Sequence, residues 1–82
     1  MSHRLKRLSG KEVLRSLGAF GFLVISIRRS HAKARRVLPD GSEQNLTIPL
    51  HRELDVGTLA ALYRKASQFV PPEQLKPIFY HR

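Results

Sequence analysis

The stretch VLPDGSEQNLTIPL, residues 37–50, decides the fold. Pro39 fixes φ, Asp40 bonds to its own backbone and Gly41 supplies a positive φ, so Pro39-Asp40-Gly41 reads as a turn. Beyond it Leu46, Ile48 and Leu50 alternate with Asn45 and Thr47, the period of a strand with one face in a core, predicted over 44–50. Pro49 cannot donate to a ladder, which confines its end to a sheet edge or to the strand's last residues. Before the turn, 31–38 is a second extended segment, and a hairpin is the simplest connection between the two.

Upstream, the run FLVISI at 22–27 is β-branched and apolar on both faces, which predicts a central strand covered on at least one side by a helix. Ser9 and Glu12 form a capping-box pattern that should open a helix. Val13, Leu14, Leu17 and Phe20 then follow helical spacing, Gly18 weakens the middle, and Gly21 is placed to end the helix. Downstream, Asp55 can cap a second helix in which Leu59, Leu62, Tyr63, Ala66, Phe69 and Val70 share helical spacing until Pro71 and Pro72 break it. Pro72 can begin a short third helix that Pro77 limits, with Phe79 and Tyr80 folding back onto the core. The expected architecture is α+β, in the order αβββα with a short C-terminal helical tail. It has a three-stranded antiparallel sheet, two helices on one face and the other face open. Residues 8–70 are the expected core of a single domain spanning 1–82, and 71–82 its extension.

A chain of 82 residues buries about 60% of its unfolded surface, too little to enclose a deep cavity, so any active site should be shallow and open. Fifteen Lys and Arg against six Asp and Glu give a formal charge of +9, pointing to a polyanionic partner: nucleic acid, an acidic protein or an anionic membrane surface. Without cysteine there is no disulfide, thiolate nucleophile or Cys-based zinc site, which fits a reducing cytoplasm. The N-terminal MSHRLKRL is basic, but the following SGKEVLRSLG offers no continuous apolar region, and the longest apolar run, at 22–25, is far too short to cross a bilayer. A soluble, unprocessed cytoplasmic protein with no membrane contact is expected.

The chemistry concentrates in RRSHAKARR, residues 28–36. With a period of two, His31, Lys33 and Arg35 share one strand face while Ala32, Ala34 and Arg36 take the other. On the open face the first set would present a basic stripe to RNA; it reads equally as a solvated strand whose charges aid solubility. His31 itself is either a polar surface residue or the acid/base group of a ribonuclease. Neither Ser30 nor a metal serves as an alternative, since neighbouring strand residues point to opposite faces and His3, His31, His51 and His81 lack zinc-site spacing. No carboxylate cluster for magnesium and no phosphate-cradling glycine loop is present, so no cofactor is expected.

The chain resembles the HicA family of bacterial toxins, small messenger-RNA interferases with a fold related to the double-stranded-RNA-binding domain. The resemblance is carried by RLSGKEVLRSLGAFGF (7–22), Ser30-His31 and LPDGSEQNLTIPLHRELDVGTL (38–59). Gly21-Phe22 stands at the end of the SGKE helix, and His31 follows Gly21 by ten residues, as the family histidine follows its glycine. The resemblance implies that His31 is the catalytic histidine of a metal-independent ribonuclease neutralised by a HicB-type antitoxin. Three departures stand out: Arg29 where the family usually has glycine, Ala32 where a polar residue or histidine is frequent, and Ala34 where an aromatic is common. They are expected to touch the RNA contacts more than the fold.

The leading reading is therefore an endoribonuclease acting on mRNA. His31 is its general base or general acid, and Arg28, Arg29, Ser30, Lys33 and Arg35 contact the RNA. One histidine cannot comfortably do both jobs at once. His51 is a conceivable second proton carrier, but a residue ending the third strand at a turn is the simpler account, and it stays outside the catalytic set. The alternatives are a non-catalytic double-stranded-RNA-binding module and an adaptor whose basic face docks an acidic protein.

Overall fold

A computed structural model describes residues 4–81. Ser9 caps helix α1 (Gly10–Gly18): its Oγ accepts from the Glu12 N–H at 3.1 Å while Glu12 Oε1 accepts from the Ser9 N–H at 2.8 Å. Two backbone donors that have no partner within the helix are thereby satisfied. Val13 and Leu17 are buried, and Gly21 follows at φ 93°. Gly18 is the last helical residue rather than a mid-helix one, so its low propensity bears on the fraying end.

Strands β1 (Leu23–Arg28), β2 (His31–Val37) and β3 (Glu43–Pro49) form one antiparallel sheet in the order β1-β2-β3. The β2–β3 turn is built as its residues dictate. Asp40 Oδ1 accepts from the Ser42 N–H at 2.9 Å and its hydroxyl at 2.6 Å, and Gly41 sits at φ 88°. Pro49 is the last residue of an edge strand, where its missing N–H does no harm.

The expectation of a central, helix-covered first strand is overturned. Two hairpins in series place β2 in the middle and leave β1 at an edge, with all six of its residues exposed. Leu23 and Ile27 are 67% and 60% exposed. An apolar run on both faces fits burial in a sheet centre and also an uncovered edge, and periodicity does not separate the two. The register slips between Val24 and Ser26, so Ile25 is the extra residue of a bulge. The core lies instead beneath β2 and β3, where Ala32, Ala34, Leu46 and Ile48 meet the helices.

Asp55 caps α2 (Val56–Ala66), its Oδ1 accepting from the Thr58 N–H at 2.7 Å. This helix stops at Ala66, short of the predicted reach to Val70, because the Ser67 hydroxyl donates to the Tyr63 carbonyl at 2.6 Å and the chain turns. Phe69 and Val70 pack on the core from that turn. Helix α3 (Pro72–Phe79) begins with Pro72 in its first turn but runs through Pro77 instead of ending there. Leu75 and Phe79 are fully buried in the same cluster as α1 and α2, and Tyr63 meets Phe79 edge-on at 5.6 Å. Leu5 bridges Tyr80, and the Lys6 N–H donates to the Phe79 carbonyl at 2.7 Å, so the first described segment closes over the last helix. No described helix is long and apolar enough to cross a membrane.

Arg36 ties these layers together. Its Nε donates to Gln44 Oε1 at 2.8 Å, one terminal nitrogen to the Phe20 carbonyl at 3.1 Å and the other to the Phe69 carbonyl at 2.7 Å. Its guanidinium carbon lies 4.9 Å from the centre of the Phe22 ring. Phe20 and Phe69 follow the ends of α1 and α2, where carbonyls are left over and negative potential collects, so one cation serves both helix ends. Arg36→Ala is expected to lower unfolding free energy by about 2–4 kcal/mol, and Arg36→Lys to recover only part of it, because an ammonium lacks the three-way planar fork. Urea denaturation of both variants measures this.

The Glu12, Asp40 and Asp55 carboxyls all lie below their ordinary values. The leading cause for Glu12 is the Ser9 N–H bond, for Asp40 the Ser42 hydroxyl, and for Asp55 the Thr58 N–H. A folded value below the unfolded one means stability that is present above the ordinary carboxylate range and lost as pH falls through the folded values. The urea midpoint should therefore drop on acidification through and below that range, and Asp55→Asn should flatten the drop.

Candidate functional site on the open sheet face

Residues opposite one another across a ladder share a face, so the register maps the open surface directly. On β2 it carries His31, Lys33 and Arg35. Arg28, Ser26 and Leu23 stand opposite these on β1, and Pro49, Thr47 and Asn45 on β3. No helix covers them, because Ala32 and Ala34 take the helix side and are fully buried. Ser26, Arg28, His31, Lys33 and Thr47 line a shallow depression of about 520 Å³ on this face. Among the described residues no three His, Cys, Asp or Glu side chains gather as metal ligands, and His3 lies outside them.

The sequence-predicted site residues separate into groups. His31, Arg28 and Lys33 share the depression and are exposed. Arg35 is half-buried and already engaged, its Nε donating to Asn45 Oδ1 at 2.9 Å with Glu43 Oε1 at 3.3 Å. Arg29 and Ser30 form the two-residue turn between β1 and β2, and the Ser30 carbonyl accepts from the Leu50 N–H at 2.6 Å.

Two residues stand in surroundings that the sequence reading had not foreseen. His51 lies two residues past Pro49, continuing the open-face alternation, and its ring centre is 6.5 Å from that of His31 in an edge-on arrangement. The Asp55 carboxyl, held low first by its bonds to Thr58, also feels the His51 ring as a smaller attraction. Arg36, placed on the far face by simple alternation, proves to be the joint between the two helix ends. Its signal was available: a lone arginine on the alanine side of a strand must find polar partners if it is covered.

The departures at Ala32 and Ala34 fall in the packing layer and not on the open face, so both touch the fold, where effects on RNA contacts were expected. Arg29 takes φ 54°, the first turn position having a positive φ and Ser30 not, as in type II′ turns that favour glycine there.

The family model described as the HicA toxin of bacterial toxin–antitoxin matches residues 10–68, and the chain belongs to this family. Neither a curated protein nor a solved structure matches it. The matched span runs from the first residue of α1 past the end of α2, and so includes the whole sheet and both histidines of the pair.

Arg29→Gly should relieve the turn and raise stability by up to about 1 kcal/mol, since the left-handed region disfavours any residue with a Cβ. Thermal and urea unfolding of that variant against the parent protein test it.

Proposed function

We propose that this toxin is an endoribonuclease that cleaves mRNA, with His31 transferring a proton at the scissile phosphodiester. The observation that supports this most is the placement of His31 in the open depression between Arg28 and Lys33, on the face the helices leave bare. A shallow basic surface admits an RNA strand, and two cations beside the imidazole neutralise the charge that builds on the phosphate as it is attacked. His31 serves either as base to the ribose 2′-hydroxyl or as acid to the departing oxygen. Arg28 and Lys33 bind the phosphate, and Arg29 and Ser30 border the RNA at the turn. Arg35 contributes less, because Glu43 and Asn45 hold its guanidinium.

The proton transfer is given to His31 and the phosphate charge to Arg28 and Lys33, so the reaction is read as metal-independent. The partner is a HicB-type antitoxin. It inhibits by covering the open face around His31, to which the +9 charge would draw an acidic surface. The setting is the cytoplasm, where mRNA is the substrate.

Induced expression should arrest growth and degrade mRNA, whereas His31→Ala, made to the same level, should do neither. Cleavage by the purified protein should persist in EDTA. Lys33→Ala should flatten the salt dependence of RNA affinity by about 0.7 to 0.9 in log–log slope, one phosphate contact, and Arg35→Ala by less. Equal toxicity of wild type and His31→Ala, or an affinity indifferent to salt, overturns the reading.

A further inference from the structure

We propose that His51 is the second proton carrier of the site, acting as general acid opposite His31 as general base. This rests on the endoribonuclease reading and deepens it. The ring centres stand 6.5 Å apart on the same open face. That spacing suits one phosphate between the rings: the attacking and departing oxygens are about 3.5 Å apart in line, each within about 2.6–3.2 Å of an imidazole nitrogen.

The chain holds His51 there by its backbone alone. Its carbonyl accepts from the Gly10 N–H at 3.0 Å, and the preceding Leu50 N–H donates to the Ser30 carbonyl, next to His31, at 2.6 Å. The approach is so close that a Cβ on Gly10 would collide with the Pro49 carbonyl oxygen and come within 2.9 Å of Leu50 Cα. The first residue of α1 must be glycine for the segment to sit where it does. The His51 side chain takes no part in this anchoring. It is exposed and faces the His31 ring edge-on.

Neighbouring charge divides the roles. The base belongs beside the cations Arg28 and Lys33, which line the depression together with His31, and His51, outside that lining, is left to serve as the acid. His31 takes the proton of the ribose 2′-hydroxyl as that oxygen bonds to phosphorus. The bond from phosphorus to the 5′-oxygen breaks, and His51 gives its proton to that oxygen. The products are a 2′,3′-cyclic phosphate and a 5′-hydroxyl, with no net proton gained or lost, and exchange with water resets the two rings.

The test measures single-turnover cleavage by the purified full chain of an RNA and of the same RNA with the scissile 5′-oxygen replaced by sulfur, a leaving group that needs no proton. His51→Ala and His51→Gln should cleave the ordinary RNA about 10²–10⁴-fold more slowly, with RNA affinity and unfolding midpoint near wild type. They should also lose the high-pH limb of the rate profile and recover to near wild-type rate on the sulfur substrate. His31→Ala should stay slow on both. Arg28, Lys33, Arg52 and Asp55 are the charged groups around the pair, so the profiles are compared at one ionic strength. Wild-type rates for both His51 variants overturn the assignment, as does an equal loss on both substrates, which is the mark of a structural role. A wild-type chain that cleaves neither RNA overturns the nuclease reading itself, an outcome separate from either of these.

Discussion

The fold depends on where one guanidinium sits. The chain leaving α1 and the chain leaving α2 both bring a carbonyl within reach of one part-buried side chain. Arg36 reaches both ends at once, to the carbonyls of Phe20 and Phe69, while its guanidinium lies over the Phe22 ring and its Nε is fixed by Gln44 on the neighbouring strand. The sheet, α1 and α2 thus share a joint made of one residue, and the angle between the helices and β2 follows from it. A second constraint acts at the opposite end of α1, where Gly10 lets the helix start directly against the segment leaving β3. Between them the two contacts fix α1 at both ends, and what they fix with it is the path of residues 49–51.

These constraints explain why the bare face can be bare. In a chain this short there is one core, and here it lies wholly on the helix side of the sheet. Ala32 and Ala34 are the smallest side chains that still cover backbone, and they let the helices close against β2 without projecting bulk. The other side of the same strand is left to His31, Lys33 and Arg35, whose polar ends face solvent or, for Arg35, Asn45 and Glu43. Chemistry and packing are separated by the thickness of one sheet.

Much of this was legible in the residues. The capping box at Ser9 and Glu12, the turn at Pro39-Asp40-Gly41, the alternation of Leu46 and Ile48 and the Asp55 cap all use local chemistry, and each forms as read. What local chemistry could not give was the order of strands, since FLVISI carries the same pattern at a centre and at an edge. The end of α2 was misplaced because Phe69 and Val70 keep helical spacing while serving the core from a turn, and Pro77 was misjudged because a helix packed by Leu75 and Phe79 tolerates a missing donor. Within the site, His31, Arg28 and Lys33 follow from the period of a strand. The nearness of His51 does not, because it depends on a backbone approach between segments forty residues apart in sequence.

The strict alternation of β2 has a consequence for inheritance. A nucleotide change at His31 or Lys33 falls on an exposed side chain of the open face and leaves the core untouched. One that enlarges Ala32 or Ala34 overpacks the layer between sheet and helices and destabilises the fold. The same short stretch of gene therefore holds two kinds of position, one that alters the face the protein shows to its surroundings and one that alters whether it folds.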